Sequence, residues 1–154
     1  MTALRLIAAL SLAGLTACSP QPGIDFNSNI QGHMRGSLPI VDQVDQDLSS
    51  GYVEQDRGEL YLEINTLPQS GWAMLGVMAQ VEEDGSISID NGEVYGCAGG
   101  EEYDAEFDED ADEASIEVKT IEIDGQTFEQ YEITAVFGDD TMTGVAVVPA
   151  EHNK

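Results

Sequence analysis

The feature that most constrains the fold is an alternation of apolar and polar residues with a period of two, which begins near His33. Residues 59–65 (ELYLEIN) place Leu60, Leu62 and Ile64 on one face and polar side chains on the other. Such alternation is typical of a half-buried β-strand. Residues 72–81 (WAMLGVMAQV) are apolar on both faces, which predicts a strand in the centre of a sheet.

Short turn signals separate these runs. Asp84-Gly85, Asn91-Gly92 and Asp124-Gly125 each lie between apolar alternating segments, and such dipeptides favour tight hairpins because they accept positive φ. Gly138-Asp139-Asp140 predicts a further turn into the last strand. The apolar phase slips near Thr120, which predicts a β-bulge. Residues 39–48 are predicted as strand rather than helix. Together these patterns predict an all-β, antiparallel fold of about 7–9 short strands, either a β-sandwich or a small up-and-down β-barrel.

The size and charge of the chain narrow the classes of function. A chain of 154 residues with 42% hydrophobic residues can form one domain with a core. Thirty Asp and Glu against five Lys and Arg give a net charge of −25. Because such a surface repels phosphate groups, nucleic acid is excluded as a partner, and so is a membrane contact through a basic patch. Mutual repulsion also predicts a monomer.

The N-terminal residues have the organisation of an export signal. Arg5 precedes an apolar run over residues 6–15, which is too short to span a bilayer as a helix and is typical of a secretory signal peptide. The last residue of this run begins the sequence Leu15-Thr16-Ala17-Cys18. This sequence resembles the lipobox of bacterial lipoproteins, and the resemblance covers residues 1–18 only.

The resemblance implies that residues 1–17 are removed and that Cys18 is lipidated and anchors the chain in the bilayer. Ser19 stands where many inner-membrane lipoproteins carry Asp, so the outer membrane is the expected location. Residues 18–32 are rich in Pro, Gly, Ser, Asn and Gln, which predicts a flexible tether. As an alternative, Ile24, Phe26 and Ile30 could dock on the domain and order part of this segment. Residues 33–150 form the expected single β domain, and 151–154 a C-terminal tail.

An acidic stretch over residues 101–113 (EEYDAEFDEDADE) is a candidate calcium site. Its match to an EF-hand loop fails, because Glu113 replaces the turn glycine and Lys119 replaces the bidentate glutamate. The sequence favours a solvated loop, with calcium binding as the alternative. The candidate ligands are Glu101, Glu102, Asp104, Asp108, Asp110 and Asp112.

Lipidation of Cys18 leaves Cys97 as an expected free thiol, predicted to be buried and unreactive because neighbouring acids raise the pKa of a thiol. The two histidines, His33 and His152, show no zinc spacing, and no nucleophile or phosphate-loop motif is present. The sequence therefore predicts a protein that is not an enzyme and has no cofactor other than, in the alternative, calcium.

The preferred interpretation is a membrane-anchored envelope lipoprotein whose acidic β domain is a non-catalytic binding or structural module. Its expected partners are the lipid bilayer, through Cys18, and an envelope protein or ligand. Two alternatives stay open at this point: a calcium-binding lipoprotein that uses residues 101–113, and a thiol-dependent envelope enzyme that uses Cys97.

Overall fold

The computed structural model describes residues 30–68, 71–100 and 105–150. These residues form antiparallel strands and no helix. The strands are β1 (Gln31–Leu38), β2 (Val41–Asp47), β3 (Ser50–Asp56), β4 (Glu59–Thr66), β5 (Trp72–Val81), β6 (Ile87–Gly99), β7 (Ala105–Asp110), β8 (Glu113–Ile123), β9 (Gln126–Phe137) and β10 (Asp140–Pro149).

The strands build two five-stranded sheets that face each other as a sandwich. The first sheet has the order β2-β1-β10-β9-β8 and the second β3-β4-β5-β6-β7. Strands that are neighbours in sequence are neighbours in space, as in an up-and-down barrel, but β2 does not pair with β3, nor β7 with β8. The fold is therefore a sandwich and not a closed barrel. The predicted all-β antiparallel class is confirmed.

The predicted number of strands was too low, because the described residues contain ten. Residues 31–56 form three strands although their apolar alternation is weak, and the acidic stretch contains β7. Backbone pairing with an adjacent strand supplies the hydrogen bonds in both places, and sequence periodicity does not report such pairing. The strand predicted over residues 39–48 is confirmed as β2.

The core lies between the sheets and follows the predicted alternation. Leu60, Leu62 and Ile64 of β4 are buried, and so are alternate residues of β9 from Tyr131 to Phe137. The Phe137 ring sits over Gly96 of the opposite sheet, where an added Cβ would come within 2.6 Å of it. Phe107 of β7 meets the same ring edge-on, with centroids 5.6 Å apart.

Most of the predicted turns are confirmed. Asp84-Gly85 joins β5 to β6, and Gly85 has φ of 83°. Asp124-Gly125 joins β8 to β9, with φ of 52° and 80° at the two residues. Positive φ at both central positions is what a two-residue hairpin turn of type I′ requires, which explains the preference for Asp followed by Gly.

The hairpin predicted at Asn91-Gly92 is wrong, because β6 runs through both residues. Opposite them the β5–β6 register shifts: Met78 pairs with Glu93, but Gln80 pairs with Ser88. The extra residues of β6 form a bulge. Gly92 is needed there because an added Cβ would lie 2.0 Å from the Met78 carbonyl oxygen. A turn dipeptide thus serves as an irregularity inside a long strand.

The β-bulge predicted near Thr120 is also wrong. The β8–β9 register is continuous from Glu113 opposite Val136 to Ile123 opposite Gln126. The apolar phase slips because the end of this hairpin turns Ile121 and Ile123 to the outer face, where Ile123 is 46% exposed.

Within the part of the chain that the structure describes, no helix is long and apolar enough to cross a bilayer.

Candidate functional site on the outer face of the second sheet

The second sheet carries a compact apolar cluster on its outer face, away from the core. It consists of Trp72 and Met74 of β5 with Tyr95 and Cys97 of β6; we call it the Trp72 patch. Met74 is directly opposite Cys97, and Gly76 is opposite Tyr95. The position is a consequence of strand geometry: residues 73, 75, 77 and 79 face the core, so 72, 74 and 76 face outward.

The Trp72 patch is buried although it faces outward. Trp72, Met74 and Cys97 are only 7%, 6% and 0% exposed, whereas Met78, on the same face of β5, is 40% exposed. The described side chains on the outer face of the first sheet are all at least partly exposed. The indole Nε1 of Trp72 is buried and has no hydrogen-bond partner among the described residues. Burial on the outer face is thus confined to this patch.

Tyr95 closes the side of the patch nearest β4. Its ring covers Gly76, where an added Cβ would lie 2.0 Å from the ring. Its hydroxyl donates a hydrogen bond of 3.0 Å to Glu63 Oε1. Burial and the neighbouring Glu63 carboxylate raise the pKa of Tyr95 well above its ordinary value of 10. The phenol is therefore a neutral donor and cannot serve as a base at physiological pH.

The expectation of a free thiol at Cys97 is not met. Cys97 is fully buried, as predicted, but its sulfur is disulfide-bonded, and no described cysteine is free. The sequence contains one other cysteine, Cys18, which lies outside the described residues. The prediction assigned Cys18 to a lipid and so left Cys97 alone. Asp108 Oδ1 lies 3.5 Å from the Cys97 sulfur.

The acidic stretch is not simply a loop, because residues 105–110 form β7. Asp108 and Asp110 pair with Cys97 and Tyr95 of β6, while Asp112 Oδ2 accepts a 2.7 Å hydrogen bond from the backbone N–H of Gly138. The described part of the chain contains no group of three or more His, Cys, Asp or Glu placed to hold a metal ion. Glu101, Glu102 and Asp104 lie outside the described residues, so the calcium site stays a prediction.

The structure also shows a histidine cluster that the sequence reasoning missed. On the outer face of the first sheet, His33 of β1 lies between two carboxylates of β2: Nε2 is 2.6 Å from Asp45 Oδ1, and Nδ1 is 3.0 Å from Asp47 Oδ1. Hydrogen bonds to Asp47 and Asp45 raise the pKa of His33, and the bond to His33 lowers the pKa of Asp45. The sequence signal for this cluster was the pair Asp45 and Asp47, which are two residues apart and therefore lie on the same face of a strand.

The sequence carried a comparable signal for the Trp72 patch, since residues 72–77 are apolar on both faces. Cys18 and His152 lie outside the described residues.

No family model, no curated protein and no solved structure matches this chain.

Proposed function

We propose that this protein is a cell-envelope lipoprotein, anchored by a lipid on Cys18, whose acidic β-sandwich is a non-catalytic binding or structural module. The observation that carries the proposal is the sequence Leu15-Thr16-Ala17-Cys18 at the end of an apolar run of ten residues, 6–15. A cysteine at that junction is what lipid attachment requires, and several acyl chains hold a protein firmly at a bilayer.

The fold is compatible with display on such an anchor. The first described strand, β1, begins at Gln31, 13 residues after Cys18 in the sequence. The last strand of the sandwich, β10, pairs with the first strand, β1, in the first sheet. A domain with this topology is attached at one end and leaves the outer face of the first sheet and the loops at its far end accessible.

The surface charge indicates the kind of partner. Described basic groups already have acidic neighbours: Lys119 Nζ lies 2.9 Å from Glu132 and 3.4 Å from Glu117, and Arg57 lies 3.6 Å from Asp56. The sequence contains thirty Asp and Glu but five Lys and Arg, so acidic groups greatly outnumber basic ones. Charge complementarity favours an envelope partner with positive groups and a binding strength that falls with salt.

Lipidation is tested by expressing the full chain in a bacterial host with a labelled fatty acid. The unchanged chain and the control Ser19→Ala are expected in the membrane fraction with label, and Cys18→Ser is expected without label. Ser19→Asp is expected to move the protein from the outer to the inner membrane. An unlabelled wild-type chain with an intact Cys18 would overturn the proposal.

The chemistry of sulfur provides a second readout. One sulfur atom cannot carry a thioether-linked lipid and a disulfide at the same time, and Cys18 is the single intramolecular partner that the sequence offers to Cys97. Mass spectrometry of the N-terminal peptide without reduction distinguishes the two. Acylated Cys18 supports the proposal; a Cys18–Cys97 peptide in all of the exported protein contradicts it.

A further inference from the structure

We propose that residues 19–29 of this chain pack on the Trp72 patch, so that the segment after Cys18 is a docked strap and not a free tether. The inference goes beyond the proposed function and does not depend on it, because the segment is present whether the Cys18 sulfur carries a lipid or a disulfide.

The first argument is the burial of the patch. In a two-layer sandwich the outer face of each sheet meets solvent, as Met78 does at 40% exposure. Trp72, Met74 and Cys97 are nevertheless 7% exposed or less. Single-layer packing does not hide an indole to this degree, and the buried Nε1 of Trp72 has no partner among the described residues. This burial indicates that a segment outside the described residues covers the face.

The second argument is the position at which the N-terminal segment joins the domain. Ile30 packs against Gly51 near the start of β3. Gly32 of β1 accepts a 3.0 Å hydrogen bond from the Leu48 N–H. Thr66 Oγ1 donates to the Asp47 carbonyl, and Thr66 pairs with Ala73, beside Trp72. These contacts bring the start of β1 and Trp72 to the same end of the sandwich.

The third argument is reach and composition. Strands are about 4.8 Å apart, so the patch on β5 and β6 lies roughly 10–15 Å from the edge strand β3. Eleven extended residues span up to about 36–40 Å, more than twice that distance. The segment contains two large apolar residues, Ile24 and Phe26, among polar ones. These suit a patch formed by an indole, a thioether and a phenol ring.

The sulfur chemistry agrees with this placement. Cys97, at the centre of the patch, is disulfide-bonded, and the one other cysteine of the sequence immediately precedes residues 19–29. An intramolecular bond would therefore bring the start of the segment to the patch. In the lipidated form, a docked segment keeps the sandwich close to the bilayer, with the second sheet next to the anchor.

Photo-crosslinking in the full chain, expressed in a bacterial host, tests the inference without disturbing the fold. A benzophenone amino acid replaces Phe26, and the matched control replaces Ile123, which is 46% exposed on the first sheet. From position 26 we expect adducts within the same chain to peptides of β5 and β6, Met74 above all, and none of these from position 123. Adducts from position 26 to another region, to a second copy or to another protein would overturn the proposal.

The single tryptophan gives an independent measurement. In the full chain, replacing both Ile24 and Phe26 by Ser is expected to shift Trp72 emission to the red and to increase its quenching by acrylamide, while Asn27→Ser changes neither. Unchanged Trp72 quenching in the double variant would show that another segment covers the patch. Neither readout depends on fatty-acid labelling, so failure of this inference is distinguishable from failure of the proposed function.

Discussion

At the scale of single residues, His33 is the clearest titrating element of the sandwich. It bridges two aspartates of the edge strand β2, and Arg35, its neighbour on the same face of β1, is opposite Asp45. A positive His33 therefore links β2 to the rest of the first sheet. Because the folded protein raises the pKa of His33 above 6.5, the stabilisation is complete below that pH and is lost as the pH rises through the folded value.

Replacing His33 by Asn is expected to lower the melting temperature by about 2 °C at pH 5.5, a small effect because the three side chains are exposed. Near pH 9 the same substitution should have almost no effect. Thermal melts at both pH values measure the difference. In a variant with Asp45→Asn and Asp47→Asn, His33→Asn should lose this pH dependence; if the dependence persists, another group is responsible.

Gly76 permits the packing of the Tyr95 ring, since the ring occupies the space of a Cβ. Gly76→Ala is expected to displace the ring, break its hydrogen bond to Glu63 and destabilise the fold by about 1–3 kcal/mol, as overpacking does. Urea denaturation measures this loss. In a double variant with Tyr95→Ala, the cost of Gly76→Ala should largely disappear, and additive costs would show that the Tyr95 ring is not the source.

At the scale of elements, β7 shows how one apolar residue fixes a strand in an acidic sequence. Phe107 is 8% exposed and contacts Phe137 in the core. Burial of a phenyl ring contributes roughly 2–3 kcal/mol. This gain, with backbone pairing to β6, holds residues 105–110 as a strand although most of them are acids.

Phe107→Ala is expected to lower the free energy of unfolding by about 3 kcal/mol. It should also remove the hydrogen-exchange protection of residues 105–110 while the protection of β9 persists. Phe128→Ala is the matched control, because Phe128 is only partly buried and lies opposite Ile121 on the outer face; its loss should cost less. Equal costs, or unchanged protection of β7 in Phe107→Ala, would contradict the anchoring role.

The elements also show what could be predicted from sequence. The buried faces of β4 and β9 could be predicted from a period of two, because one buried face selects apolar residues at every second position. Local turn chemistry identified Asp124-Gly125, but the same chemistry misled at Asn91-Gly92, where pairing of β6 with β5 continues beyond the bulge. A dipeptide reports the conformation it allows, and tertiary pairing decides whether that conformation becomes a turn or a bulge.

Likewise, the choice between sandwich and barrel depends on whether β2 pairs with β3 and β7 with β8. Those contacts are backbone hydrogen bonds, which no residue type specifies.

Of the candidate sites, the Trp72 patch could be predicted from sequence as an apolar outer face. The approach of His33 to Asp45 and Asp47 could not, because it depends on the register between β1 and β2. That register is determined by the turn geometry and by the shift between Gly36 and Leu38.

At the scale of the whole molecule, a net charge of −25 on one small domain makes stability dependent on salt. Added salt screens the repulsion among carboxylates over about 10 Å or less. We expect the melting temperature to rise by several degrees (about 5 °C) when sodium chloride is raised from low to molar concentration at pH 7. Near pH 4.1, the isoelectric point of the sequence, the rise should vanish, and an equal rise at both pH values would exclude a charge effect.

Melting curves in calcium and magnesium chloride test whether the acidic stretch binds divalent cations at a specific site. If residues 101–113 act only as part of a uniformly acidic surface, calcium and magnesium chloride at equal ionic strength should raise the melting temperature equally and without saturation. A specific calcium site would instead add RT ln(1 + [Ca²⁺]/Kd) to stability, about 2.7 kcal/mol at a hundredfold excess over Kd. Because Asp108 lies beside Cys97 and Asp112 binds the Gly138 N–H, we expect the equal response. A saturable excess for calcium, lost in Glu101→Gln with Asp104→Asn, would show that cation binding organises this end of the sandwich.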